Sequence, residues 1–250
     1  MAEADVLQAA RIVVALNLLR NESEVLELAA MLAARKQARL LALFVEDADL
    51  ANLAGLPFAR EVCRDSTAER GLDRLRLERA LRARAGRIQA LLSRLNQRLS
   101  IEVGFKAVRG PFMATVFEEA GQVDILCLGH KAGRPLQPAA APVWALYDGS
   151  AAAGAALRLA EELARGEGCG LSVVLPVADG GGFQALAAQV LSRCAEEGRV
   201  PGLFPVEPGD GVKLLRGMRQ SGCRVLVLAR RGADLVPTLA EQGIYPLILV

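Results

Sequence analysis

Aromatic residues are scarce in this 250-residue chain: Phe, Trp and Tyr together supply 4% of it, although 52% of the residues are hydrophobic. A core of that size with so few rings has to be built from Leu, Val, Ile and Ala. Charge imbalance is lacking too. A formal net charge of +2, with 23% of the residues charged, gives no global electrostatic reason to bind nucleic acid or a membrane surface. Histidine occurs once, at His130, and cannot by itself make a His-based metal site. The five cysteines (Cys63, Cys127, Cys169, Cys194, Cys223) are odd in number and contain no C-x-x-C pair. That argues for a reducing compartment without a disulfide framework. Cys127 and Cys223 sit inside apolar runs, where a thiol serves as a small hydrophobe. No run approaches the ~20 apolar residues that a membrane helix requires, and the opening MAEADVLQAA has acids where a signal peptide has positive charge. The expectation is a soluble cytoplasmic protein with no membrane partner.

Catalytic signatures are missing as well. The chain has no Ser-His-Asp order with motif support, no G-x-x-x-x-G-K-[ST], and no pair of acids in a recognisable metal setting. No catalytic residue is assigned and a non-enzymatic role is expected, although a cleft built from residues far apart in sequence is compatible with enzyme chemistry.

What the chain does have is self-similarity. Val13-Val14-Ala15-Leu16-Asn17 precedes a helical pattern ending LELAAMLAARK, and Val143-Trp144-Ala145-Leu146-Tyr147-Asp148 precedes LRLAEELARGE. Each helix leads into a further apolar run, LLALFVED or LSVVLPVAD. FEEAGQVDILCLGHKAG (117–133) then aligns without a gap on GMRQSGCRVLVLARRGA (217–233). Four segments recurring in one order indicate a duplicated unit.

Between these anchors, strands and helices alternate. The first half reads as strand 11–17, helix 22–36, strand 39–46, helix 67–98, strand 100–108, helix 111–121 and strand 123–129. The second reads as strand 142–148, helix 151–166, strand 170–177, helix 183–197, a weak strand 202–206, helix 211–221, and strands 223–229 and 244–250. The strands are continuous aliphatic runs, as expected for parallel strands covered on both faces. The fold class is therefore α/β, with two tandem doubly wound parallel sheets joined by right-handed crossovers. The Pro/Ala-rich GRPLQPAAAP places the boundary between domains 1–138 and 139–250. The first domain lacks a fifth strand, because APVWALYDGS opens the second.

With these residues in place, the chain resembles the universal stress protein family in its tandem form. Ala145-Leu146-Tyr147-Asp148-Gly149-Ser150 opening LRLAEELA, the units VDILCLGHKAG and RVLVLARRGA, and the terminal YPLILV carry the resemblance. It implies a five-stranded parallel sheet per domain of the adenine nucleotide alpha hydrolase-like type, association of domains through their last strands and, in one branch, ATP at the carboxyl ends of the first and fourth strands. Open α/β sheets bind ligands at such a switch point. The residues so offered to a cofactor are Gly129 and His130 in the first half. In the second they are Asp148, Gly149, Ser150, Val177, Arg230, Arg231 and Gly232.

ATP-binding members of that family carry Gly-x-x-Gly, nine residues, then Gly-Ser or Gly-Thr, so that backbone N–H groups meet phosphate at a helix N-terminus. Here Gly129 is followed by Ala132 where the second glycine belongs, and the count from there lands on Pro142-Val143. The first strand ends in Asn17-Leu18 instead of Asp-Gly-Ser. In the second half Asp148-Gly149-Ser150 is intact, but Ala229 replaces the first glycine and Gln242-Gly243 stands where Gly-Ser should. Asp148 and Ser150 read first as an Asx turn and a helix cap, His130 as a solvated turn residue, and Arg230-Arg231 as loop residues able to fork onto phosphate.

The other charged feature is the helical stretch 60–98, with eleven arginines (60, 64, 70, 74, 76, 79, 82, 84, 87, 94, 98) against five acids. Leu81, Ala85, Ile88, Leu92, Leu95 and Leu99 form an apolar stripe, leaving the arginines on solvated faces. No aromatic residues interleave to stack bases, so nucleic acid is not the expected partner.

Three functions fit. The first is a non-enzymatic stress-response regulator or scaffold with a decayed nucleotide site and no cofactor. The second is a sensor holding ATP or AMP at a variant site in the second domain. The third is an interaction module that binds an acidic partner or nucleic acid through the arginine-rich helix. A protein partner and a homodimer or intramolecular pseudo-dimer accompany the first.

Overall fold

The run RIVVAL forms β1 (Arg11–Leu16), in which every residue after Arg11 is buried. A strand hidden on both faces has no polar side to show, and this one lies inside a parallel sheet. The computed structural model describes residues 10–54, 56–62, 69–121, 123–131, 140–195, 198, 200–230 and 235–250, which divide between two units, Met1–Leu126 and Cys127–Val250.

In the first unit, β1 is followed by α1 (Ser23–Lys36), β2 (Arg39–Asp47), α2 (Ala48–Leu53), β3 (Arg60–Val62), β4 (Glu69–Gly71), α3 (Arg74–Leu99), β5 (Val103–Gly110) and α4 (Phe112–Ala120). β6 (Ile125–Leu128) carries the chain on into the second unit. The sheet order is β5-β2-β1-β6. β2 lies parallel to both neighbours, with Leu41 opposite Val13 on one side and Gly104 on the other. The Arg11 backbone N–H donates to the Asp124 carboxylate at 2.8 Å, fixing the start of β1 beside the approach to β6.

The second unit contains β7 (Val143–Leu146), α5 (Ala151–Glu167), β8 (Leu171–Pro176), α6 (Gly180–Ala195), β9 (Gly202–Val206), α7 (Gly211–Ser221), β10 (Val225–Leu228), α8 (Leu235–Gln242) and β11 (Leu247–Leu249). Its order is β9-β8-β7-β10-β11, with parallel pairing throughout. In each unit the chain steps outward from its first strand, then returns to that strand's other side. Right-handed crossovers therefore put the helices of the outward steps on one face, where α1 packs on α3, and those of the return steps on the other, where α7 packs on α8.

The core is aliphatic as the composition requires, with Trp144, Tyr147 and Phe44 as its largest fully buried side chains. Among the described residues no helix is long and apolar enough to cross a membrane.

Three local expectations fail. The helix expected from residue 67 begins at Arg74, where the Asp73 carboxylate caps it by accepting from Leu75 N at 3.0 Å. Ahead of it, β3 and β4 pair antiparallel as a short ribbon, so the arginine-rich stretch from residue 60 is not one helix; residues 63–68 lie outside the described residues. Two short helices, α2 and α8, have too few turns to show a periodicity in sequence. The strand expected over 244–250 narrows to Leu247–Leu249.

Leu77, Leu81, Ile88, Leu92 and Leu95 of α3 are buried, and most of its arginines face solvent. Arg84 is the exception. Its Nη2 donates to the Arg20 carbonyl and pairs with Glu22 Oε2 at 2.6 Å, both side chains being 12% exposed. Arg87 reaches the same carboxylate at 3.6 Å. Burial pulls the Arg84 guanidinium below its ordinary value; Glu22 opposes that pull and Arg87 adds to it. The pair ties the turn after β1 to the middle of α3.

Gly86 stands in the middle of α3, and a Cβ added there would meet nothing within 4 Å. Gly86→Ala should therefore raise the unfolding free energy by about 1 kcal/mol, the helix-propensity difference, measured by urea denaturation with an unchanged m-value.

Candidate functional site

At the carboxyl end of β7 the chain turns through Tyr147-Asp148-Gly149-Ser150 into α5. Gly149 adopts φ +87°, a backbone conformation open to glycine at little cost. The Asp148 carboxylate accepts from Ser150 N at 2.8 Å, and Ser150 Oγ accepts from Ala153 N at 3.1 Å. These are the Asx turn and the N-cap expected of that sequence, and each oxygen serves the turn's own backbone. Side chains of α6 lie close by. A Cβ on Gly149 would come 3.2 Å from Leu186 Cδ2, Tyr147 Oη is 2.9 Å from Gln189 Oε1, and the Arg193 guanidinium sits 5.8 Å from the Tyr147 ring centroid. Leu186, Gln189 and Arg193 share a helix face at i, i+3 and i+7. That spacing was visible in the sequence, but nothing there said which strand end it would meet.

After β10 stands Ala229, buried, and Arg230 N donates to Val250 O at 2.7 Å. Arg231 and Gly232 lie outside the described residues. At the end of β8, Val177 N donates to Val206 O at 2.9 Å, on the β9 side of the strand and away from β7.

The glycine-bearing turn after β6 is also closed internally. Gly129 and His130 are buried, and Lys131 N donates to Gly243 O at 2.8 Å. His130 is 3% exposed, which overturns the reading of it as a solvated turn residue: the turn is packed into the protein, and its backbone meets the C-cap glycine of α8. Ala132 and Gly133 lie outside the described residues.

The turn after β1 takes another course. Asn17 and Arg20 are both buried. Asn17 Oδ1 accepts from Leu19 N at 3.0 Å, and the Arg20 guanidinium lies over the Phe112 ring, 4.6 Å from its centroid. Burial pulls the Arg20 guanidinium down to about 10. A buried arginine of the turn after β1 thus packs on the first residue of α4. A lone arginine in a turn carries no such signal in sequence, because Phe112 is remote from it along the chain.

Cys127, Cys194 and Cys223 offer no nucleophile. Burial pushes Cys127 up to about 12 and Cys223 well above its ordinary value, and Cys194 Sγ donates to the buried Glu161 carboxylate at 2.9 Å. A protonated, buried thiol does not attack at neutral pH. No group of three His, Cys, Asp or Glu able to hold a metal occurs among the described residues.

If the Asp148 turn is held this tightly, Gly149→Ala should cost about 2 kcal/mol through the positive φ alone, with Leu186 adding to it. Thermal or urea unfolding reads that loss; an unchanged stability contradicts the closed turn.

No protein-family model and no curated protein matches this chain. Solved structures do. A universal stress protein from Archaeoglobus fulgidus superimposes with a TM-score of 0.58 at 14% identity, over 97% of this chain and 96% of that one. A functionally unknown protein from Pseudomonas aeruginosa gives 0.50 at 12% identity, over 99% and 94%. At such identities the likeness concerns architecture: the chain has the α/β fold seen in universal stress protein structures.

Proposed function

We propose that the protein is a non-enzymatic regulator or scaffold of the universal stress type, built from two tandem domains whose nucleotide sites have decayed. The tandem organisation is supported by the shared strand order, β5-β2-β1-β6 in the first unit and β9-β8-β7-β10 in the second. The decay is supported by one observation above others. Lys131 N, Ser150 N and Arg230 N, one described backbone donor at each of the three candidate turns, are bonded to Gly243 O, Asp148 Oδ1 and Val250 O. A phosphate turn works by presenting such donors to an anion. Here the protein's own acceptors take these three. The action then lies on surfaces, through a protein partner or a second copy of the chain.

Titration calorimetry with Mg-ATP or AMP is expected to give no saturable heat. A dissociation constant below ~10 μM, a mid-range affinity, overturns the proposal in favour of a sensor. In that case Asp148→Ala should remove the nucleotide-dependent rise in melting temperature.

A second reading has an observation of its own. On α3 the exposed Arg76, Arg79, Arg94 and Arg98 make no ion pair among the described residues, while Arg74 and Arg82 share Glu78. An acidic protein segment suits that face. Polyglutamate should bind it at low salt and weaken steeply as salt rises. Replacing those four arginines with Gln should abolish binding; salt-independent binding, or none at low salt, excludes this role.

A further inference from the structure

α7 carries a glycine in its interior, Gly217, a residue that weakens a helix relative to alanine. The absent side chain leaves room above Trp144: a Cβ there would stand 3.6 Å from the Trp144 ring. The room is part of a cavity of about 270 Å3 between α7 and the edge strand β9, lined by Trp144, Phe204, Val206, Leu214 and Gly217, with Lys213, Arg216 and Gln220 at its mouth. Its floor is aromatic. The Trp144 and Phe204 rings lie 4.7 Å apart with a 31° tilt, and Trp144 is anchored by its Nε1 donating to Gly222 O at 2.8 Å. Trp144 is buried and Phe204 half-buried, so the Phe204 ring still has surface to offer.

The mouth is cationic and unbalanced. Lys213, Arg216 and Gln220 follow an i, i+3, i+7 spacing, which places them along one helix face with Gly217. No acid lines the cavity, and neither Lys213 nor Arg216 makes an ion pair among the described residues. The nearby Asp210 carboxylate accepts from the Lys213 backbone N–H, as the cap of α7. A smaller cavity on the first unit, about 200 Å3 beside Arg11, Arg39, Glu102 and Glu119, shows the contrast. There Arg39 pairs with Glu102 at 2.7 Å, and Glu119 pairs with Lys106.

We propose that the cavity of the second unit binds a small planar anion, a one- or two-ring aromatic carboxylate. The ring lies against Phe204, which Trp144 backs from beneath, and offset or edge-to-face packing on that ring is favourable. The carboxylate faces the Arg216 fork, the Lys213 ammonium and the Gln220 amide, which are donors suited to two oxygens. The volume lies just below the usual small-molecule range of roughly 300–1,000 Å3, too small to enclose a whole nucleotide. This site is remote in kind from the phosphate turns, and it stands whether or not they bind ATP.

Trp144 is the one tryptophan of the chain, so its fluorescence reports from the cavity wall. Benzoate is the probe and benzamide its neutral control, titrated into the full-length protein at low ionic strength, with calorimetry in parallel. Benzoate should give a saturable signal with a dissociation constant below ~1 mM, a weak but measurable affinity, and benzamide should bind at least ~10-fold more weakly, a factor equivalent to about 1.4 kcal/mol. The double variant Lys213→Gln/Arg216→Gln should erase that preference while keeping the melting temperature of the unaltered protein, since both side chains are exposed. Three results overturn the proposal: no saturable benzoate signal by either method up to ~10 mM, equal affinity for the two probes, or a double variant that binds benzoate as the parent does.

Discussion

Where parallel strands end, backbone N–H groups leave the sheet ladder and must find other partners. A ligand can supply them, as phosphate does in nucleotide-binding α/β proteins. Among the described residues, several are supplied from within. Asp148 and Ser150 satisfy the turn that contains them, Val250 takes the donor of Arg230, and Gly243 takes that of Lys131. The proposed function rests on that constraint, because a turn whose donors are satisfied gains little from an anion.

The two units close their strand ends by different chemistry. In the first, a buried guanidinium lies on the Phe112 ring, and the turn that carries it is held by the Arg84–Glu22 pair. Such a pair contributes less by its attraction than its loss would cost, since one member left alone is an uncompensated buried charge. In the second, Leu186 and Gln189 of α6 lie beside the glycine turn, whose own residues stay exposed and are held by the Asp148 and Ser150 bonds. A common strand order therefore does not impose a common site. Side chains from elements distant in sequence decide what each strand end accepts.

Much of this architecture was readable beforehand. Continuous runs such as RIVVAL and VLVL are buried strands, and α7 spans residues 211–221 as its periodicity indicated. The Asp148 turn and the Ser150 cap were readable too, since both are contacts within three residues. The start of α3 is not legible in sequence because arginine and leucine continue on both sides of Asp73, and only the cap marks the boundary. The burial of His130 is not legible either, because solvation of a turn depends on what packs over it. Val177 follows β8 as expected, but its backbone bonds toward β9.

Taken alone, the sequence determined the class of fold, the alternation of strands and helices, and the loss of the glycine spacing a phosphate turn needs. These follow from periodicity and local turn chemistry, which act over a few residues. Tertiary structure decided where Arg20 meets Phe112, where Leu186 meets Gly149, and that Gly217 opens a cavity over Trp144 beside Lys213 and Arg216. Each joins groups tens of residues apart, and their distances exist only once hydrophobic burial has packed helices onto a sheet.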